Sequence, residues 1–169
     1  MLRVVNLELV NKKLINIELP MGKILEIKGE NGAGKSLLLK SLARLIPSRF
    51  EYLSLNGKNS LDFSPSKWRS QVMYLGAEVY FNSEMSVQDF FHYPYQFHLH
   101  HSAKPLFSPE DFLSHTHQKV GLLSSGQKQL LSLLRSLSLN PQILLLDETF
   151  SHLDEKMRAK SIEFIHRWL

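Results

Sequence analysis

The sequence predicts an α/β fold with a mostly parallel sheet core, antiparallel strands at its N-terminal side and a small helical subdomain. Three observations predict it. A glycine-rich loop, Gly29–Ser36, sits between a strand pattern and a helix pattern. A long helical pattern, Gln127–Leu139, is followed by Asn140-Pro141 and then by the apolar run Ile143–Leu146. Such a run is expected of a strand buried on both faces of a sheet. Strand, loop, helix and a later buried strand together make an α/β architecture.

The elements follow in order. Val4, Leu7 and Leu9 alternate imperfectly, and Leu14, Ile15, Ile17 and Leu19 repeat the pattern before Pro20-Met21-Gly22 turns the chain. Lys23–Lys28 alternates apolar with charged side chains and reads as a strand entering the glycine loop. Leu37, Leu38, Leu39, Leu42 and Leu45 lie at helical spacing from Ser36 to Leu45, and Pro47 ends the run. Val72–Leu75 is a further short strand. Val87–Leu123 is the least regular region and carries most of the histidines. Asp154–Leu169 reads as a final helix. The chain is expected to be one domain, residues 1–169, with its core in 1–85 and 124–169 and a helical subdomain over about 86–123.

Composition bounds the function. A chain of 169 residues with 43% hydrophobic and 21% charged residues can build one proper core. No stretch approaches the roughly 18 consecutive apolar residues of a membrane-spanning helix. Met1–Asn6 lacks the apolar run of a signal peptide, so a cytoplasmic location is expected. The absence of cysteine excludes disulfides and thiolate metal sites. A net charge of +4 suits anionic nucleotides or a membrane surface, and does not by itself point to nucleic acid.

Gly29-Glu30-Asn31-Gly32-Ala33-Gly34-Lys35-Ser36 is a full G-x-x-x-x-G-K-S phosphate-binding loop. Its glycines let the backbone wrap a polyphosphate and turn N–H groups inward, and the positive end of the helix it opens adds to the attraction. Asn31, Gly32, Ala33, Gly34, Lys35, Ser36 and Leu37 are the candidate nucleotide-binding run. Lys35 is suited to the β- and γ-phosphates, and the Ser36 hydroxyl to Mg²⁺. Asp147, at the carboxyl end of the apolar strand, falls near the Mg²⁺ shell, and Glu148 is positioned to orient or deprotonate an attacking water. Leu123-Ser124-Ser125-Gly126-Gln127 opens the long helix with small hydroxyls and a glycine. That makes an anion-binding cap or a plain helix cap.

These three motifs in this order resemble the ABC ATPase family, and the resemblance covers nearly the whole chain. Leu123–Gln127 is similar to the family's L-S-G-G-Q signature, with Ser125 in place of the first glycine, and Ser151-His152-Leu153-Asp154 is similar to its D-loop. The resemblance implies a P-loop NTPase of ABC ATPase type that binds ATP and Mg²⁺ and buries two ATP molecules in a head-to-tail dimer. There the signature residues Ser124, Gly126 and Gln127 face the partner's nucleotide, with Ser124 and Gly126 on its γ-phosphate. It also implies a separate membrane permease and a peripheral location on the inner face of the membrane. No nucleic-acid partner is implied. Pro65–Tyr74 and Phe91–Gln96 are similar to small transporter ATPases of the iron-export type, with the haem-exporter ATPases next. Two other outcomes fit the same motifs: a truncated or degenerate cassette that binds nucleotide without efficient turnover, and a non-transport ABC ATPase.

Three departures from the family pattern stand out. The Q-loop glutamine, a metal-side group in the family, has Ala77 or Glu78 in its place, of which only Glu78 could approach Mg²⁺. No aromatic residue precedes Phe50, so adenine is expected to meet apolar side chains such as Val10 or Leu14. The family's switch histidine should follow a further strand after the last helix, where His166 is no replacement, and slow hydrolysis with intact binding is the expected consequence. Phe90–His101 is unusually aromatic and reads either as a docking surface for a permease or as the core of the helical subdomain. His98, His100 and His101 lack interleaved acidic residues and read as solvated. Lys12-Lys13 reads as a hairpin turn, and His115 and His117 carry no assigned role.

Overall fold

A computed structural model describes residues 1–8, 13–76, 81–92, 107–108, 116–151 and 153–169. The backbone forms two compact units: Met1–Tyr74 with Gln142–Asp147, and Leu75–Pro141 with Glu148–Leu169.

The first unit is built on a four-stranded sheet in the order β2-β1-β3-β4, with β1 Leu2–Glu8, β2 Leu14–Leu19, β3 Tyr52–Leu55 and β4 Lys58–Asn59. Every pairing in it is antiparallel. The imperfect alternation of β1 is a bulge. Val4 pairs with Ile17 and Leu7 with Ile15, so one extra residue lies on β1, and Asn6 absorbs it at φ 50°. The Asn6 N–H donates to Asn16 Oδ1 at 2.8 Å. The β3–β4 hairpin turns at Asn56-Gly57, both with positive φ, which is what a right-twisted two-residue hairpin requires. That dipeptide is the local sequence signal for this hairpin.

Helix α1 spans Lys35–Leu42 and ends before Leu45, because Arg44 turns left-handed at φ 54° ahead of Pro47. Helix α2, Pro65–Gln71, starts at an Ser64 cap with proline in its first turn. It drives Trp68 fully into the core, where Nε1 donates to Leu42 O at 2.9 Å. β5, Val72–Leu75, pairs with β6, Ile143–Leu146, in a separate two-stranded sheet. Leu2, Val4, Leu42, Leu53, Trp68 and Ile143 belong to one buried cluster.

The strand expected over Lys23–Lys28 is absent. Those residues carry no ladder among the described residues, and Ile24 and Leu25 are 67% and 48% exposed, while Ile27 alone packs against the core. Glu26 and Lys28 pair at 3.1 Å on the surface instead. Alternation marks a chain able to form a strand, but only a bonded neighbour makes one.

The second unit holds α3 Val87–His92, α4 Ser125–Ser138 and α5 Glu155–Trp168. α4 is buried over most of its length through Leu130, Leu131, Leu133, Leu134 and Leu137, and packs against α5, which contributes Phe164. The left-handed Asn140, at φ 50°, stops the chain from continuing as helix past Ser138. The start of α3 is tied down by Val87 N–H to Gln118 O and Gln88 N–H to Thr116 O, both 3.0 Å. Asp154 caps α5 rather than opening it, accepting the Met157 N–H at 2.7 Å. Of the aromatic run, Phe90 and Phe91 are buried, and residues 93–101 lie outside the described residues.

Candidate nucleotide and Mg²⁺ site

β6 alternates between buried and half-buried side chains and delivers Asp147 at its carboxyl end, 8% exposed. A carboxylate so buried requires hydrogen-bond donors. Two hydroxyls supply them. Ser36 Oγ, in the first turn of α1, donates to Asp147 Oδ1 at 2.9 Å. Tyr74, from β5, donates through its hydroxyl to Asp147 Oδ2 at 2.7 Å. Burial first, then the hydrogen bond and the charge of Asp147, push the Tyr74 hydroxyl well above the ordinary tyrosine range, so it stays protonated and donating.

The loop before α1 is solvent-facing. Gly29–Ala33 are exposed and Gly34, Lys35 and Ser36 half-buried. Gly32 and Gly34 have φ of 80° and 90°, a left-handed backbone that a Cβ resists. Gly34 is the residue before α1 and provides no side-chain cap, while Leu38 N–H closes the first helical bond on Gly34 O at 2.9 Å. The amides that precede it are the ones a helix leaves without internal partners. The Lys35 ammonium folds over its own loop, donating to Gly29 O at 2.9 Å and Glu30 O at 3.0 Å. Asn31 and Leu37 are exposed.

The donor set fits Mg²⁺. A serine hydroxyl and a carboxylate are hard oxygen groups, and they already meet at 2.9 Å. No cluster of three or more His, Asp or Glu occurs among the described residues. Mg²⁺ takes one or two protein oxygens and completes its shell with phosphate and water.

Glu148 follows Asp147, is exposed, and adopts φ 51°. Its carbonyl is gripped by Ser151, whose N–H and Oγ donate to it at 3.1 and 2.8 Å. Thr149 next to it is buried and donates to Leu75 O at 3.3 Å, so the exposed carboxylate side chain stands on an anchored turn.

Ser124 and Gln127 form a closed capping box at the start of α4. Ser124 Oγ accepts the Gln127 N–H at 3.2 Å, and Gln127 Oε1 accepts the Ser124 N–H at 2.9 Å. Gly126 lies inside that first turn. The structure therefore brings Ser36 and Asp147 together and adds Tyr74, to which no motif assigned a role. Glu78 and Ala77, like Val10, His98, His100, His101, His115 and His152, lie outside the described residues. Leu14 is 55% exposed on β2. His117 and His166 are exposed.

The profile of the family described as ABC transporter matches residues 13–151. The chain belongs to that family. It is 34% identical over 163 residues to the probable iron export ATP-binding protein FetA of Escherichia coli (strain K12), covering 92% of this chain and 71% of that protein. It is also 33% identical over 148 residues to the cytochrome c biogenesis ATP-binding export protein CcmA of Legionella pneumophila (strain Lens), covering 83% of this chain and 70% of that one. Against the sulfate/thiosulfate import ATP-binding protein CysA of Synechocystis sp. the identity is 30%, and the chain spans 44% of its length. Two solved ABC transporter ATP-binding proteins, one from Pyrococcus furiosus, superpose with TM-scores of 0.79 and 0.83 at 22% identity, covering 99% of this chain and 85% and 74% of theirs. These two establish the fold. The likeness to ATPases of the iron-export type, read from Pro65–Tyr74 and Phe91–Gln96, is matched by the FetA similarity over 92% of this chain.

Proposed function

We propose that this chain is the ATP-binding and hydrolysing subunit of an ABC transporter, one ATPase domain that energises a separate permease by closing and opening a dimer. The observation that carries the reading is the 2.9 Å bond between Ser36 and Asp147, which joins the opening of the phosphate-binding helix to the end of β6. Lys35 and the amides of Asn31–Leu37 take the phosphates. Ser36 and Asp147 serve Mg²⁺, with Glu78 as the proposed third group. Bound Mg²⁺ neutralises charge on the β- and γ-phosphates. Glu148 orients or deprotonates the attacking water, and its exposure supports access to that water. Ser124, Gly126 and Gln127 act on the nucleotide of a second subunit. Ser124 Oγ accepts the Gln127 N–H, which leaves its hydroxyl proton to donate to phosphate.

No helix among the described residues is long and apolar enough to cross a membrane. The proposed location is the inner face of the membrane, reached through the permease. The names of two similar proteins, a probable iron export and a cytochrome c biogenesis export ATP-binding protein, support an export role. Glu148→Gln tests the enzyme reading. It is expected to lower turnover by about 100-fold or more, in the range of a lost general base, while retaining ATP and accumulating an ATP-bound dimer on size exclusion. Turnover unchanged in that variant rules out Glu148 as the base. Co-purification from detergent-solubilised membranes with a multi-span protein tests the transporter reading, and recovery of soluble partners alone overturns it.

A further inference from the structure

Asp147 is held from two sides by groups on different elements. Ser36 of α1 occupies Oδ1, and Tyr74 of β5 occupies Oδ2. Only the first belongs to a phosphate-binding motif. The terminal torsion of an aspartate is broad and roughly two-fold, so a single hydroxyl leaves the carboxylate plane free to turn. A second short, charge-assisted bond on the other oxygen removes that freedom. Tyr74 is itself well anchored. It lies on the paired strand β5, its ring packs against the buried cluster, and Lys40 Nζ stands 5.9 Å from the ring centre.

We propose that Tyr74 is a positioning residue for the metal side of the nucleotide site, fixing through Asp147 Oδ2 the orientation in which this carboxylate meets Mg²⁺. The proposal rests on reading Ser36 and Asp147 as the metal-side groups. Mg²⁺ demands near-octahedral geometry and gives up water reluctantly, so a carboxylate held in one plane binds it better than one that turns. Partners that orient such groups commonly change metal affinity by about 10- to 100-fold.

Tyr74→Phe keeps the ring and removes the bond. In the 169-residue chain, a fluorescent ATP analogue is titrated in EDTA and then over a series of Mg²⁺ concentrations. The Mg²⁺ concentration giving half-maximal enhancement of binding is expected to rise about tenfold, while affinity in EDTA stays within about twofold of the parent. An unchanged Mg²⁺ dependence overturns the proposal. An equal loss with and without Mg²⁺ also overturns it, because that is the signature of damaged packing. On an Asp147→Asn background the same substitution is expected to add no further shift, and a further shift overturns it as well. If the parent chain fails to bind the analogue at all, the nucleotide site itself falls. If the parent binds and responds to Mg²⁺ but Tyr74→Phe does not differ, only the role of Tyr74 falls.

Discussion

Two helices of this protein start in stretches that look alike on paper, small residues with a glycine and a serine, yet their N-termini differ. α1 is preceded by left-handed Gly34 and has no side-chain cap. α4 is preceded by Ser124, and a complete capping box with Gln127 uses its hydroxyl internally. An uncapped start costs a helix stability and leaves its amides and positive end available to an anion. A closed box stabilises the helix and occupies the Ser124 and Gln127 amides. The first arrangement suits a helix that holds phosphate in its own subunit. The second is a helix whose start is already stabilised from within, with the Ser124 hydroxyl proton still free to donate outward.

The sharpest way to break this contrast is Lys35→Ala. Losing one charge-assisted donor is expected to weaken Mg²⁺–ATP binding by about 10- to 100-fold, read by titration of a fluorescent analogue, with little change in the midpoint of urea unfolding. Gly34→Ala comes next. A Cβ at φ 90° costs about 1–2 kcal/mol in the left-handed region, so nucleotide affinity is expected to fall roughly tenfold as the loop loses its shape. At α4 the effects reverse in kind. Ser124→Ala is expected to cost about 1 kcal/mol of stability by urea denaturation, with nucleotide binding by the isolated subunit unchanged. If instead binding fell and stability held, the assignment of the two helix starts would be inverted. Gln127→Ala opens only the other half of the exposed box and is expected to cost about half a kcal/mol in the same assay.

Most of the candidate site was legible before any coordinates. Gly29–Ser36 and Asp147-Glu148 announce themselves because their chemistry needs those residue types at contiguous positions. The long helices are legible to within two residues, since Asp154 is a strong local start signal and Asn140-Pro141 a strong stop. Lys23–Lys28 misled, because alternation reports the ability to pair and says nothing about whether a neighbour is present. The Asn56-Gly57 hairpin and the Ser64-Pro65 start of α2 carry local signals that a reading by periodicity and phosphate motif does not use. Tyr74 carried none. It lies 73 residues from Asp147 in the chain, and a tyrosine in a short strand looks the same whether its hydroxyl meets solvent or a carboxylate.

The sequence by itself determined the family and the phosphate-loop motif, and it named Ser36, Asp147 and Glu148 as the candidate hydroxyl, carboxylate and base. These depend on local geometry, in which neighbours along the chain are neighbours in space. Only the tertiary structure decided that Ser36 and Tyr74 share the two oxygens of Asp147, that Ser124 is already bonded within α4, and that Ile24 and Leu25 remain exposed. Those outcomes turn on which distant groups satisfy a buried charge, a helix end or a strand edge, and no pattern of adjacent residues contains that information.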